Sequence, residues 1–429
     1  MSESSALPPV FALVDANNFY ASCETVFNPK LRGRPVIVLS NNDGCAIARS
    51  AEAKALGIKM GDPYFKIEKE FRKAGGVALS SNFALYADMS NRVMSLLSEF
   101  SARQEVYSID ECFLGMEGHR ELTSIGLAIR SRILTATGLP VCVGFAPTKT
   151  LSKLANHVAK KQPDWNGVCD LTALSASDQD ALVGGLDVAE VWGVGRRLAS
   201  ALHDMRITTV RQLRDANPKQ IRSRFSVVLE RTVLELRGIS CLALEEVVPP
   251  RQQIVVSRSF GAPVYDLPDL EQAVGTFAAR AAEKLRGQSL AAGAVRVFIH
   301  TSPFRTQEPQ YGKSVTLPFH AACDDTLRIT GASLAGLKHI YQPGYAFSKA
   351  GVMLDALIAR DKVPVDLFEM VDGSKSQELM RVLDSVNSKF GKGSIATGAA
   401  CGAPGAWTMR QSNKSPAYTT QWDELPKAR

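Results

Sequence analysis

Between residues 252 and 357 the sequence runs strand, helix, strand, strand, helix, strand: strands read at 252–260, 293–300, 311–319 and 349–357, and helices at 267–287 and 325–341. The segment 293–300 (GAVRVFIH) alternates as a half-buried strand does. Few folds accept this order. Each helix has one apolar stripe and the strands share one apolar face, so both helices must cover one side of a single sheet, the split βαβ arrangement of a compact two-layer domain. Earlier in the chain, 10–15 (VFALVD), 35–39 (PVIVL) and 140–145 (PVCVGF) read as short buried strands. Residues 88–100, 121–136 and 148–161 read as helices, the last with a Thr start and a lysine-rich final turn. That alternation predicts a first domain of the α/β or α+β class. From 191 to about 245 the pattern is helical and short-looped, a small second domain closed by Pro249-Pro250.

Charge separates this small domain from its neighbours. The whole chain carries +7. Between Arg196 and Arg237, ten Arg and Lys stand against four acids, a local +6 that is either a solvated helical face or a footprint for a polyanion. Eight cysteines lie scattered with no CxxC pair and no Cys/His cluster of zinc spacing, which predicts reduced thiols and a cytoplasmic protein. The N-terminus lacks a basic leader, and no stretch approaches the apolar length of a membrane span. Beyond Arg360 glycines punctuate a weakly periodic stretch with no GK[ST] motif, which reads as a flexible, partner-seeking tail.

The stretch Val106–Leu114 (VYSIDECFL) places two carboxylates inside a run that otherwise reads as a buried strand. In a regular strand Asp110 and Glu111 point to opposite faces, whereas a bend at 109–111 lets them project together. Two acids crowded in this way repel unless cations lie between them. The pair is thus either an exposed turn or half of a metal site. Asp15 ends the apolar run Phe11–Val14, the place of a functional carboxylate at the mouth of a sheet. If the two strands are neighbours, three carboxylates converge, and a donor set of oxygen alone favours Mg²⁺ or Mn²⁺ over zinc.

Four segments carry a family resemblance: DANNFYASCE at 15–24, SNNDGC at 40–45, AEAKALG at 51–57 and YSIDE at 107–111. In this order they resemble the Y-family translesion DNA polymerases, within them the UmuC-like branch, over nearly the full length. The resemblance implies an α+β multidomain right-hand polymerase. A ferredoxin-like palm with small fingers would occupy 1–190 (fingers about 28–86) and a helical thumb with a helix-hairpin-helix element 191–248. A βαββαβ little finger would occupy 249–360 and a regulatory tail with a clamp-binding peptide 361–429. Its activity would be error-prone DNA-directed DNA synthesis past damaged bases in the bacterial SOS response.

The same resemblance implies roles for single residues. Asp15, Asp110 and Glu111, with the backbone carbonyl of Ala16, would hold two Mg²⁺ ions. Tyr20 would be a steric gate under the incoming sugar, with Phe19 beside it, and Arg49, Lys54 and Lys160 would meet the triphosphate. Ala51 and Lys54 depart from an aromatic and an arginine common in the family, a looser wall beside the nascent base pair. Gly193, Gly195, Arg196 and Arg197 match a hairpin that grips DNA phosphates, and Arg258, Arg296, Lys313 and Lys349 are candidate backbone contacts. Leu367 and Phe368 keep the anchors of the clamp peptide, although Pro364 replaces its usual glutamine. Expected partners are primer-template DNA, deoxynucleoside triphosphates, a UmuD-like processed partner, a RecA filament and a sliding clamp. Two rival readings are a nucleotidyl cyclase with a related palm and a non-catalytic DNA-binding accessory subunit.

Overall fold

The structure, a computed structural model, describes residues 7–246, 251–363, 373–391, 393–400, 405 and 407–425. The chain forms two compact units. One comprises Met1–Ser40, Gly44–Val248 and Asn413–Arg429, the other Asn41–Asp43 and Pro249–Ser412.

In the first unit β1 (Phe11–Ala16) leads into α1 (Phe19–Phe27). There follow β2 (Val36–Leu39), β3 (Ala46–Arg49), α2 (Ala51–Ala55), α3 (Tyr64–Lys73) and β4 (Val77–Ser80), the strands pairing as a small sheet in the order β3-β2-β4. Next come α4 (Phe83–Leu97), β5 (Gln104–Val106), β6 (Glu111–Gly115), α5 (Leu122–Thr137), β7 (Val141–Ala146), α6 (Lys149–Lys161) and β8 (Val168–Asp170). The main sheet has the order β5-β6-β1-β7-β8, so β1 is central and antiparallel to both neighbours. A central strand buried on both faces needs an unbroken apolar run. Phe11, Ala12, Leu13 and Val14 supply it, each at most 3% exposed.

Helices α7 (Ala176–Gly184), α8 (Arg196–Asp204), α9 (Val210–Asp215), α10 (Pro218–Arg224) and α11 (Val227–Leu236) build the basic domain around Leu202, Val210, Leu213, Ile221 and Val233. It is fastened to α6 by Glu235, a fully buried carboxylate. Glu235 accepts from the backbone N–H of Thr150 (3.0 Å) and Cys241 (2.6 Å), and its own carbonyl accepts from Thr148 Oγ1 (2.9 Å). Buried charge of this kind persists only when satisfied, and this one is.

The second unit contains β9 (Ile254–Val264), α12 (Leu267–Arg286), β10 (Leu290–Thr301), β11 (Gly312–Cys323), α13 (Thr326–Ile340) and β12 (Phe347–Ala359). Its sheet order is β11-β10-β12-β9, antiparallel throughout, as the expected βαββαβ sequence of elements requires of a two-layer domain. Pro263 and Pro318 fall in β9 and β11, the two edge strands, where a missing N–H costs no internal ladder bond. Helix α12 buries Leu270, Ala273, Val274, Phe277, Ala278, Ala281 and Leu285, the stripe expected at helical spacing.

The residues after Arg360 are more structured than their composition indicates. Helix α14 (Gly373–Phe390) buries Met380, and its Asp384 takes both ends of the Arg286 guanidinium (2.7 and 2.6 Å). Residues 413–418 hydrogen-bond back onto β4, Asn82 just before α4, and α1 of the first unit. The anchors Leu367 and Phe368, with Pro364, lie outside the described residues.

Candidate active site

The acids come together as the strand ends predict. Antiparallel pairing sets Asp15 of β1 opposite Glu111 of β6, and the Ala16 N–H donates to the carbonyl of Asp110 at 2.9 Å. The bend that lets neighbouring acids share a side is built by Ser108. Its Oγ accepts from the backbone N–H of Asp110 (3.2 Å) and of Glu111 (3.0 Å) and donates to Asp110 Oδ1 (2.6 Å). Regular pairing of β6 therefore begins at Glu111. A short hydroxyl side chain competing for backbone amides is what ends a strand in this way.

Two lysines of α6 compensate the acids. Lys160 forms an ion pair with Asp15, and Lys153 Nζ donates to both oxygens of Glu111, at 2.8 and 3.0 Å. Lys160 thus stands beside the acids; Lys153 was missed in the sequence, where its only signal is a spacing of seven from Lys160 along one helical face. Lys153 also lies over the rings of Tyr107 (4.7 Å) and Trp192 (5.2 Å). Among the described residues no three His, Cys, Asp or Glu side chains form a ready-made metal cage. The donors present are nevertheless all carboxyl oxygens, a set that fits a hard divalent cation.

Burial raises the Asp15 carboxyl from 3.8 to about 6; Lys160 opposes the shift, and the charges of Glu111 and Asp110 add to it. Between these two pH values the folded chain holds a proton that the unfolded chain has released, so stability falls as pH rises from about 4 to about 6. Asp15→Asn removes that cost. Two units at about 1.36 kcal/mol each cap the gain near 3 kcal/mol. Stranding Lys160 cancels much of it, leaving about 1 kcal/mol, or a rise of about 2–4 °C in melting midpoint at pH 7.5. A thermal melt of the variant beside the parent checks this; a lower midpoint would show that the ion pair outweighs burial.

The turn after β1 places the aromatic residues. Asn18 adopts the left-handed conformation (φ 51°), which folds the chain sharply into α1 and sets Tyr20 in its first turn. The Tyr20 ring stacks on Tyr86 (4.3 Å, 16°) and meets Phe83 edge-on (6.0 Å). Burial raises its hydroxyl pKa, and the charge of Asp110 raises it further, so the ring stands beside the acids. Phe19 is 4% exposed and packs in the core behind Tyr20, because the next residue along a helix points some 100° away. Lys54 Nζ donates to Asn18 Oδ1 at 2.5 Å. Burial lowers its pKa, as do Arg49, Lys160 and Lys161, which marks four cations gathered near Asp15. Arg49 donates to the Ile58 carbonyl (2.9 Å), and its Nε is buried with no partner among the described residues.

In the basic domain Gly193 has φ 87° and Gly195 caps α8; a Cβ at either would meet nothing within 4 Å. Buried Val194 anchors this hairpin from below, which leaves its backbone open above, with Arg196 and Arg197 exposed in the next turn. In the second unit Arg296 and Lys349 lie on the sheet face away from the helices, since their neighbours in register include Thr316, Met353, Ser259 and His300. Arg258 does not share that face. It pairs with buried Ala350 and lies over the Trp407 ring at 5.9 Å, on the helix side, and burial lowers its pKa. Lys313 has the helix-side parity too, beside the Tyr311 ring.

Comparison with known proteins fits this geometry. The impB/mucB/samB family matches residues 14–157, its C-terminal domain matches 251–367, and a domain of unknown function matches 377–428. The chain is 48% identical to Protein UmuC of Salmonella typhimurium, over 97% of this chain and 99% of that one. It is 46% identical to Protein SamB of Salmonella typhimurium over 98% and 100%. To DNA polymerase IV of Pelotomaculum thermopropionicum it is 26% identical over 89% and 93%. Among solved structures a Y-family DNA polymerase chimera shares the fold, with TM-score 0.65 at 22% identity over 81% of this chain and 99% of that one. With relatives so similar along almost its whole length, the chain belongs to the impB/mucB/samB family and has the Y-family polymerase fold.

Proposed function

We propose that the chain is an error-prone DNA-directed DNA polymerase that copies past damaged template bases by two-cation nucleotidyl transfer. The observation that carries this reading is the meeting of Asp15, Asp110 and Glu111 beside the cluster Arg49, Lys54, Lys160 and Lys161. Acids that need cations and cations that need a polyanion stand side by side, the arrangement that positions a triphosphate for displacement. Kinship with UmuC and with DNA polymerase IV supports the same conclusion.

Asp15, Asp110, Glu111 and the Ala16 carbonyl would hold two divalent cations, Mg²⁺ by preference with Mn²⁺ as a substitute. Bound there, such ions would lower the pKa of a primer 3′-hydroxyl and neutralise the leaving pyrophosphate. Lys160 and Lys153 balance the acids between turnovers. When charge is balanced otherwise, Lys160 is released toward the triphosphate, where Lys54 and Arg49 meet further phosphate oxygens. Tyr20, held flat against Tyr86, closes the floor under the sugar. Residues 1–190, 191–248 and 249–360 serve as palm with fingers, thumb and little finger, and residues after 361 as the regulatory region.

The hairpin Gly193–Arg197 grips template phosphates with backbone amides and two guanidiniums. Replacing Arg196 and Arg197 together by Ala should weaken duplex binding equally for every sequence and reduce the slope of log K against log salt by about 2. Fluorescence anisotropy at several salt concentrations reads this out; an unchanged slope removes the hairpin from the interface. Arg296 and Lys349 are the little-finger contacts that the sheet geometry favours. A UmuD-like partner, a RecA filament and a sliding clamp, in the bacterial cytoplasm during the SOS response, follow from the kinship with UmuC.

The test is primer extension on intact and lesion-bearing templates with the UmuD-like partner and RecA supplied. Extension should stop on chelation and return with Mg²⁺. No extension with the partners present would revert the reading to a non-catalytic accessory subunit.

A further inference from the structure

The C-terminal residues 413–418 belong to the first compact unit, and the polymerase reading gives them no part in the nucleotide site. They are laced to it tightly. The Ser80 N–H donates to the Asn413 carbonyl (2.9 Å), and the Asn413 N–H donates to Ser80 Oγ (2.9 Å). Asn82, 2% exposed, turns its Nδ2 to Ser415 Oγ (2.9 Å) and to the Pro416 carbonyl (3.1 Å). Tyr418 stacks flat on Phe27 of α1 (5.1 Å, 7°).

The centre of this lacing is Glu24, 1% exposed. Its Oε1 accepts two hydroxyls, from Tyr86 at 2.7 Å and from Ser415 at 3.0 Å. Burial raises its pKa and the two hydroxyls lower it, and no cation offsets it among the groups that shift it. Tyr86 is fully buried and is the ring on which Tyr20 stacks. Glu24 and Tyr20 also sit four residues apart on α1, on one face. A continuous set of contacts therefore runs from Ser415 through Glu24 and Tyr86 to Tyr20.

We propose that the C-terminal segment is a strap that positions the Tyr20 ring, with Ser415, Glu24 and Tyr86 as positioning residues, and so sets how strictly the site rejects a ribonucleotide. This rests on Tyr20 being the sugar gate. A buried carboxylate that loses one of two hydroxyl donors must redistribute its remaining bond or take up a proton. Either response moves the Tyr86 hydroxyl, and the stacked ring moves with it.

The experiment measures kcat/KM for a deoxyribonucleotide and for the matching ribonucleotide in the full-length chain. Ser415→Ala should lower the ratio about fivefold, the worth of one hydrogen bond, with deoxyribonucleotide kcat/KM held within about twofold. Tyr86→Phe, which keeps the ring and removes the hydroxyl, should act alike, and Ser415→Thr should restore the parental ratio. In a Tyr20→Ala background Ser415→Ala should add nothing. A ratio unmoved by Ser415→Ala and Tyr86→Phe, in a protein whose Tyr20→Ala variant does lose discrimination, overturns the strap alone. An equal loss for both nucleotides, marking a merely structural segment, overturns it too. A Tyr20→Ala variant that discriminates as the parent does overturns the gate reading and the strap with it.

Discussion

Asp110→Ala is expected to cut single-nucleotide incorporation by at least about 10³-fold, because it removes a fixed anion from where charge must be balanced during transfer. The fold should survive it. Asp110 is part-exposed in the bend before β6; the contact it makes for the sheet is its carbonyl to the Ala16 N–H, which the variant keeps. Ser108 Oγ loses one acceptor but still accepts from the amides that shape the bend. Duplex affinity should therefore change by no more than about twofold, since the phosphate contacts assigned to Gly193–Arg197 lie on other elements. Asp110→Asn separates shape from charge: nearly isosteric, it should be almost as inactive, because what is lost is the anion. Rapid-quench incorporation beside anisotropy binding gives both numbers, and turnover above about a tenth of the parent would remove Asp110 from the metal-holding set.

The three acids were legible because each ends or interrupts an apolar strand, and a charge placed there costs stability unless something uses it. The little-finger order was legible because its two periods, near 2 and near 3.6, follow each other with clear turns. Partnerships were not. Lys153 reaches Glu111 across 42 positions only because α6 lies along the sheet, and the Ser415–Glu24 bond spans 391. Arg258 is instructive in the other direction, since its face was readable. Ile254, Val256, Arg258 and Phe260 share one parity in β9, so the apolar neighbours assigned Arg258 to the helix side, and its charge alone suggested the open face. The C-terminal stretch misled through composition: glycine punctuation around residues 391–405 masked the buried Met380 of α14, its Asp384 bonded to Arg286, and the ring stack of the strap, whose partners lie far away in sequence.

Tyr20→Ala should open the site to ribonucleotides. The ring is braced on one side by Tyr86 and at its edge by Phe83, so it cannot yield to an added 2′-hydroxyl without moving a fully buried neighbour. Forcing an extra atom against such a wall costs about 1–3 kcal/mol by analogy with overpacked cores, equivalent to about 5- to 150-fold in discrimination. Truncation to Ala removes the wall and with it that factor, chiefly through a higher kcat/KM for the ribonucleotide. Tyr20→Phe is the control. It keeps the stacked ring and gives up only the hydroxyl, so discrimination should stay near the parental value if the ring rather than a hydrogen bond does the rejecting. Competition between deoxyribonucleotide and ribonucleotide in one primer-extension reaction measures the ratio directly, and a Tyr20→Ala enzyme that selects sugars as the parent does would place the gate elsewhere. The brace also predicts an order among variants: losing the ring should exceed losing Ser415, because the strap only tunes the position of a wall whose presence does most of the work.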